Sequence, residues 1–544
     1  MILAEPLRSV AGSVTNVRLR VHPETLLRVA GVAAILGVIA LAYGRILDDW
    51  FVSDDFWYLR ASQVASPDYV LNSFDYTAYG PVPEVMYRPL YPVVFLFTYN
   101  LFGLHAWLYH WLSIVLHAAN TVLVFLVARK LTRRDAAAYI AAFVFGLHPS
   151  YAPAVAWITS NVSVFSTLFS MSALLLFLNY LDGGPRRAAS YFSSFALILV
   201  AVLIHPESIV VIGVMGLSHL FSNVRRLEDL RSPRLYAPLV PHAFVAIAML
   251  GLLQYVRNQD YYQQLVFGLG GHMVDSYVIY MANLGNPFGY YGLTTHDWRP
   301  AVPAAGVGLL ATWLVVACRS FELRTRLLVA AWLACAILPL TTFIPGVQTR
   351  KLYVAGPPFA LLFAMASVAT WDLLAPRLPS FRVLSFDLRY APAAAFLVVV
   401  AFFLPFRTWQ VTDRPHMARA TLTSADSYTY KALVDTVRGR YPSLPEGARL
   451  DLAEVPWNLR VGATHIFGPG GLDTRVIDAL RIHYGYIEVY GYAHRDALPP
   501  VETHDHYQVV LSCPPVCGPP LPRWLRDAIR EGRQQQHQQQ ADGP

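Results

Sequence analysis

Four short stretches carry residue types suited to chemistry. Ser53-Asp54-Asp55-Phe56-Trp57-Tyr58 sets two adjacent carboxyl groups ahead of three aromatics. Adjacent acids resist insertion into lipid. The residues alone leave two uses open: an ionisable pair working at a membrane surface, or the solvated start of a loop followed by an aromatic interface belt. Tyr87-Arg88-Pro89-Leu90-Tyr91-Pro92 frames one arginine with prolines. A guanidinium there can grip a phosphate or simply snorkel to the interface. Gln348-Thr349-Arg350-Lys351-Leu352-Tyr353 places two cations side by side, for which an anionic ligand would supply a reason. His205-Pro206-Glu207 interrupts an apolar run, and an ionisable group near lipid is a functional candidate by default. His110, His117 and His148 form a weaker set that also suits helix packing.

Other chemistries find no support. The chain has no Walker A loop, no glycine fingerprint after a strand, no His-Glu-x-x-His and no Gly-x-Ser-x-Gly. Cys513 and Cys517 lie four residues apart without a second Cys/His pair at ligand spacing, so a disulfide suits them better than a metal. Cys318 and Cys335 fall inside apolar runs and are expected to pack there. No cofactor is certain. A divalent cation on Asp54 and Asp55 remains open, because two carboxylates need no Cys or His to hold one. The Asn161-Val162-Ser163 sequon adjoins an apolar run and is given no role.

The elements that must position these residues are membrane helices. In 544 residues only 14% are charged, while Phe, Trp and Tyr make up 13% and mean hydropathy is +0.40. So few charges cannot cover a soluble surface, which leaves a polytopic membrane protein. The net charge of +7 is no nucleic-acid footprint. From Trp409 onward 14 basic residues face 15 acidic ones, so the excess lies in the apolar part, 28 against 20, in short clusters between apolar runs.

Those clusters include Arg18/Arg20, Arg129/Lys130/Arg133/Arg134, Arg186/Arg187, Arg225/Arg226, Arg319/Arg324/Arg326 and Arg377/Arg382/Arg389. Lys and Arg in short loops mark the cytoplasmic side. Spans are expected near 26–46, 107–128, 136–150, 160–181, 188–204, 208–222, 239–256, 301–318, 327–344, 356–375 and 391–408. One helix over 188–222 would measure about 52 Å against a hydrocarbon core about 30 Å thick, so two short spans turning at Pro206 are expected instead. Five outward hairpins and a last span give about eleven crossings, with the N-terminus inside and the C-terminus outside. The first run is long and lacks a small-residue cleavage site, so it reads as an anchor. Before the last span, only Arg60, Arg88, Arg257, Arg299, Arg350 and Lys351 are basic in outward loops, which makes the adjacent Arg350/Lys351 an exception to the orientation rule.

The expected fold class is therefore an all-α polytopic membrane protein with a small extracytoplasmic C-terminal α/β domain. Its parts are a cytoplasmic segment over 1–25, a transmembrane domain over 26–408 whose first outer loop is 47–106, an α/β domain over 409–517, and a Pro/Gln-rich tail over 518–544. In the α/β domain, Ser424–Arg440 and Leu472–Tyr484 read as helices, and Arg449–Val455, Tyr486–Tyr492 and Tyr507–Leu511 as strands.

With these residues in place the sequence resembles the GT-C glycosyltransferases, polytopic enzymes that use polyprenyl-phosphate-linked sugars. It is most similar to the protein O-mannosyltransferase and tetratricopeptide-containing mannosyltransferase branch and its bacterial relatives. The likeness is carried by Ser53-Asp54-Asp55-Phe56-Trp57-Tyr58-Leu59, Tyr87-Arg88-Pro89-Leu90, Leu101-Phe102-Gly103-Leu104 through Tyr109-His110 to Leu116-His117, and Phe145-Gly146-Leu147-His148-Pro149 followed by Ala154-Val155-Ala156-Trp157-Ile158. Beyond residue 190 it is mostly topology, plus the Arg350-Lys351-Leu352-Tyr353 turn. The resemblance implies that Asp54 is the catalytic carboxylate, Asp55 the second acid and Tyr58 the aromatic of the acidic motif. The second acid is Asp here rather than the Glu of several branches, and no tetratricopeptide repeats follow the last span.

What the resemblance implies is a hexosyl or mannosyl transferase of inverting type at a bacterial plasma membrane. It would move a sugar from a polyprenyl-phosphate donor to a hydroxyl of a protein, lipid or glycan acceptor on the outer face. Asp54 would act as general base and Asp55 would position the acceptor or a cation. Arg88, Arg350 and Lys351 would meet the donor phosphate, while Tyr58, His205 and Glu207 would lie in the substrate site. Membrane lipids are its other partners. A transporter or flippase of lipid-linked sugars shares the hydrophobicity and the cations, but special residues collected at the outer surface favour an enzyme.

Overall fold

A computed structural model describes residues 23–75, 87–259, 267–285, 301–344, 347–377, 382–383, 386–387, 391–412, 426–454, 474–491, 498–501 and 503–511. Helices occupy every expected span: α1 (Pro23–Tyr43), α4 (Ala106–Thr132), α5 (Asp135–Leu147), α6 (Val162–Asp182), α7 (Arg187–Ile204), α8 (Ile209–Asn223), α9 (Val240–Gln259), α11 (Ala301–Ala317), α12 (Leu323–Ile337), α13 (Gly356–Leu374) and α14 (Ala391–Val411). The first outer loop adds α2 (Asp55–Gln63) and α3 (Leu90–Phe102), and α10 (His272–Gly285) lies between α9 and α11. Among the described residues, seven helical stretches are long and apolar enough to cross a membrane, and α3 and α5 are shorter apolar helices. Leu41, Phe244, Ile247, Leu250 and Phe402 stand exposed on these helices, as side chains facing lipid do.

The chain leaves α7 at His205, passes a short 3₁₀ turn over Pro206–Ser208 and enters α8, so the apolar run 187–223 is two helices. Pro206 explains the break: it lacks an N–H and cannot continue the ladder of α7. Thr349–Arg377 is 83% buried in its most apolar window, against 17% for Pro23–Asp48, which puts α13 at the centre of the bundle and α1 at its rim.

Helices here approach closely where a side chain is missing. A Cβ on Gly146 would lie 2.5 Å from the Ile39 side chain and 3.2 Å from Thr121 Oγ1, so glycine lets α5 pack against α1 and α4. The Gly146 carbonyl accepts a bond from His117 Nε2 at 2.9 Å, and His117 Nδ1 in turn accepts from the Tyr353 hydroxyl at 2.8 Å. Asn120 donates to the same hydroxyl at 3.0 Å. His148 Nε2 donates to Leu284 O at 2.9 Å. Both histidines thus serve helix packing, where polar side chains find partners inside the protein. Asn161, the sequon residue, is likewise buried and donates to Ser113 Oγ. Cys335, expected to pack inside its span, is exposed on α12 instead. Cys513, Cys517, Arg299 and the tail lie outside the described residues.

Toward the C-terminus come α15 (Asp426–Arg440), β1 (Arg449–Ala453), α16 (Thr474–Tyr484), β2 (Glu488–Gly491) and β3 (His506–Val510). The strands form a parallel sheet in the order β2-β1-β3, with Leu450 opposite Val489 and Tyr507. Leu433, Val434, Leu450, Leu452, Val476 and Leu480 are buried between sheet and helices. Asp451, fully buried on β1, accepts from His506 Nε2 at 2.7 Å and from Arg449 Nε at 3.1 Å, which satisfies a carboxylate that burial would otherwise penalise. This apolar core is continuous with that of the first outer loop, through Phe51, Phe56, Trp57, Tyr91 and Phe95.

Candidate active site

The acidic pair begins at a strained residue. Ser53 has φ +55°, the left-handed region that side-chain-bearing residues avoid, and the turn it makes lets α2 start at Asp55. The two carboxylates end in different surroundings.

Asp55 is fully buried. Its Oδ2 accepts from Val52 N at 2.9 Å, and its Oδ1 accepts from Thr159 N at 2.8 Å and from the Thr159 hydroxyl. Burial pushes the carboxyl up to about 7, and the donors on Thr159 and Val52 pull it back toward the anion while the charge of Asp54 adds to the rise. With both oxygens occupied, Asp55 is a tie between the first outer loop and the turn before α6. Among the described residues no three His, Cys, Asp or Glu side chains cluster as a metal site, and a cation shared by the pair would have to displace the donors on Asp55.

Asp54 keeps a quarter of its side chain exposed. Its Oδ1 accepts from Ser53 Oγ at 3.2 Å and from Arg475 Nη1 at 3.3 Å, and no described residue donates to Oδ2. Of the two carboxylates, this is the one open to solvent.

Tyr58 takes another direction. Its ring stacks on Phe95 at 4.7 Å and meets Tyr91 edge-on at 5.2 Å, inside the aromatic core. The Tyr91 hydroxyl donates to Thr159 O at 2.7 Å, a second link from the outer loop to the Trp157–Asn161 turn.

The cations gather around the same turn. Arg350 lies with its guanidinium carbon 4.2 Å from the centre of the Trp157 ring, a cation–π contact, and the charges of Asp54 and Arg88 act on it. Lys351 Nζ sits 4.0 Å from the Phe343 ring centre and 5.5 Å from that of Phe267, with Glu207, Arg350 and Arg88 as its charged neighbours. His205 Nδ1 and Glu207 Oε2 are 3.6 Å apart, both buried, and within the fields of Arg88 and Lys351. Arg88 is half-buried beside them.

Stretches separated by up to some three hundred residues of chain thus meet at one end of the bundle. Asp54, Arg88, Arg350, Lys351, His205 and Glu207 come together; Asp55 and Tyr58 support them from behind. Sequence reasoning missed Thr159, which had no motif to mark it, and Arg475, one of many arginines in a region read as a separate domain. The quoted Trp157 was seen as part of a motif, not as the face on which Arg350 rests.

No family model matches the chain. It is 29% identical to protein O-mannosyl-transferase TMTC1 of Mus musculus over 226 residues, which cover 38% of this chain and 24% of that protein. It is 26% identical to protein O-mannosyl-transferase TMTC3 of Homo sapiens over 199 residues, covering 35% of this chain and 21% of that one. The chain therefore spans about a quarter of the length of these curated relatives. The likeness read from the motifs, to the protein O-mannosyltransferase branch, is the likeness these comparisons find. Among solved structures, the oligosaccharyltransferase AglB from Archaeoglobus fulgidus, in complex with an inhibitory peptide and a dolichol-phosphate, overlaps 85% of this chain and 64% of its own at 13% identity, with a TM-score of 0.48. An overlap that loose assigns no fold.

The Asp55 tie makes a direct prediction. Thr159→Val removes the hydroxyl donor but keeps the shape and the backbone N–H, so it should destabilise the protein by about 1–3 kcal/mol, the usual penalty for an under-satisfied buried acceptor. Thermal unfolding in detergent measures this; an unchanged midpoint would show that the hydroxyl bond contributes nothing.

Proposed function

We propose that the chain is a membrane glycosyltransferase that moves a sugar, a hexose such as mannose, from a polyprenyl-phosphate donor to an acceptor hydroxyl on the extracytoplasmic face. The observation that carries this reading is the meeting of one partly exposed carboxylate, Asp54, with a basic cluster built from Arg88, Arg350 and Lys351. A glycosyl phosphate is already activated, so the protein has two tasks. Asp54 Oδ2 takes the proton of the acceptor hydroxyl as its oxygen bonds to the anomeric carbon. As the bond from that carbon to the phosphate oxygen breaks, charge grows on the polyprenyl phosphate, and fixed cations in a water-poor setting stabilise it. Attack from the face opposite the leaving phosphate inverts the anomeric centre. The names of the curated relatives support the reading, as does the lack of any nucleotide motif.

In this reading about eleven crossings leave everything after Trp409 outside, on the side of Asp54. The basic clusters between apolar runs support that orientation. Cysteine labelling or reporter fusions placed after residue 440 should report an extracytoplasmic position; a cytoplasmic signal would put the whole site on the wrong face.

Chemistry is tested with purified full-length protein and polyprenyl-phosphate mannose, by release of polyprenyl phosphate. A transporter of lipid-linked sugars would release none. Asp54→Asn is nearly isosteric and should lower turnover roughly 10²–10⁴-fold while donor binding changes little, the usual worth of a positioned base. Near-parental turnover in that variant would remove Asp54 from the mechanism.

Arg350 is assigned to the donor phosphate, since a guanidinium can grip two oxygens at once. Arg350→Ala should weaken donor binding and slow transfer together, with Arg350→Lys restoring part of both. Donor affinity and rate equal to the parent's would move the phosphate site elsewhere, to the His205/Glu207 pair first.

A further inference from the structure

The C-terminal α/β segment has no role in the reading above, yet one of its side chains touches the reacting carboxylate. We infer that Arg475 is a positioning residue of the transfer site: it fixes one oxygen of Asp54 so that the other faces the acceptor. The inference rests on Asp54 being the general base.

Arg475 lies in the first turn of α16 and is only 4% exposed. Its Nη1 donates to Ser53 Oγ at 2.6 Å and to Asp54 Oδ1 at 3.3 Å, and its guanidinium carbon sits 5.7 Å from the centre of the Trp57 ring. Ser53 Oγ accepts from Arg475 and donates its own proton to Asp54 Oδ1 at 3.2 Å, so two donors converge on that oxygen. Ser53, whose backbone lies in the left-handed region, carries the hydroxyl of this relay. Among the described residues, Arg475 pairs with Asp54, and the charges of Arg350 and the neighbouring Asp55 are felt there.

Docking of the segment does not depend on this arginine. Phe56 meets the Tyr430 ring at 4.9 Å, Gln63 Nε2 donates to Ile482 O at 3.0 Å, and Arg60 Nη1 donates to Arg481 O at 3.5 Å. The apolar core beneath is continuous. A buried guanidinium is costly unless a specific anion repays it. Asp54 is one such anion, and an oriented base gains rate because its lone pair is already aimed at the proton.

The test uses the full chain in detergent and release of polyprenyl phosphate from polyprenyl-phosphate mannose. Arg475→Met should lower kcat about 10- to 100-fold and leave the KM for donor within about twofold, the effect expected of a misplaced base. Arg475→Lys should recover part of kcat. In an Asp54→Asn background, Arg475→Met should cost little more, because the group it positions is already gone. A clamp that only holds the segment would lower the unfolding midpoint, leave kcat per folded molecule intact and act independently of Asp54. Parental kcat in Arg475→Met, or losses that multiply with Asp54→Asn, would overturn the inference. If the Met variant fails to fold, Arg475→Lys and Arg475→Gln decide: kcat higher for Lys than for Gln at equal KM supports it, and parental kcat in both refutes it. Loss of the base reading is separable, for it shows as an active Asp54→Asn, whereas an inactive Asp54→Asn beside a parental Arg475→Met removes Arg475 alone.

Discussion

The bonds between Asp55 and Thr159 hold the loop before α2 and the turn before α6 in register. Asp55 is a carboxylate with no access to water, and such a group persists only where donors replace hydration. Val52 N, Thr159 N and the Thr159 hydroxyl are those donors, and they join the first outer loop to the turn before α6. Once Asp55 is locked inward, its neighbour Asp54 is directed outward. The same turn carries Trp157, whose ring supports Arg350. Asp54 and Arg350 are thus referred to a common frame, and neither can shift without disturbing the buried Asp55.

Such a frame is needed because membrane helices supply little directional force among themselves. Lipid is as apolar as the side chains that face it, so packing, close approach and internal hydrogen bonds set the arrangement. Gly146 between α1, α4 and α5, the His117–Tyr353–Asn120 cluster and His148 bonded to Leu284 O are its local forms. Polar residues that composition made conspicuous turn out in part to be this internal adhesive.

Apolar runs and their breaks were readable in one dimension, because hydrophobic length and proline act locally. Helices lie over each run, and Pro206 divides 187–223 as its chemistry dictates. Candidate charged residues were readable too, as charges where lipid makes charge costly. What could not be read was direction. Nothing in Asp54-Asp55 says which carboxylate turns inward, since that depends on Thr159 more than a hundred residues later. Nothing in the aromatic run after the acidic pair says that the Tyr58 ring stacks on Phe95. Arg475 carries no local mark at all; only the docking of α16 on α2 brings it to Asp54.

That docking joins chain separated by 421 residues, from Arg475 back to Asp54. A ribosome makes the loop first and the partner last. The membrane helices can be in place while the outer core still lacks α15, α16 and the sheet, and closure over so long a separation comes late and slowly. The order of synthesis therefore acts as a timer: a nascent chain that has not reached α16 presents Asp54 without the arginine opposite.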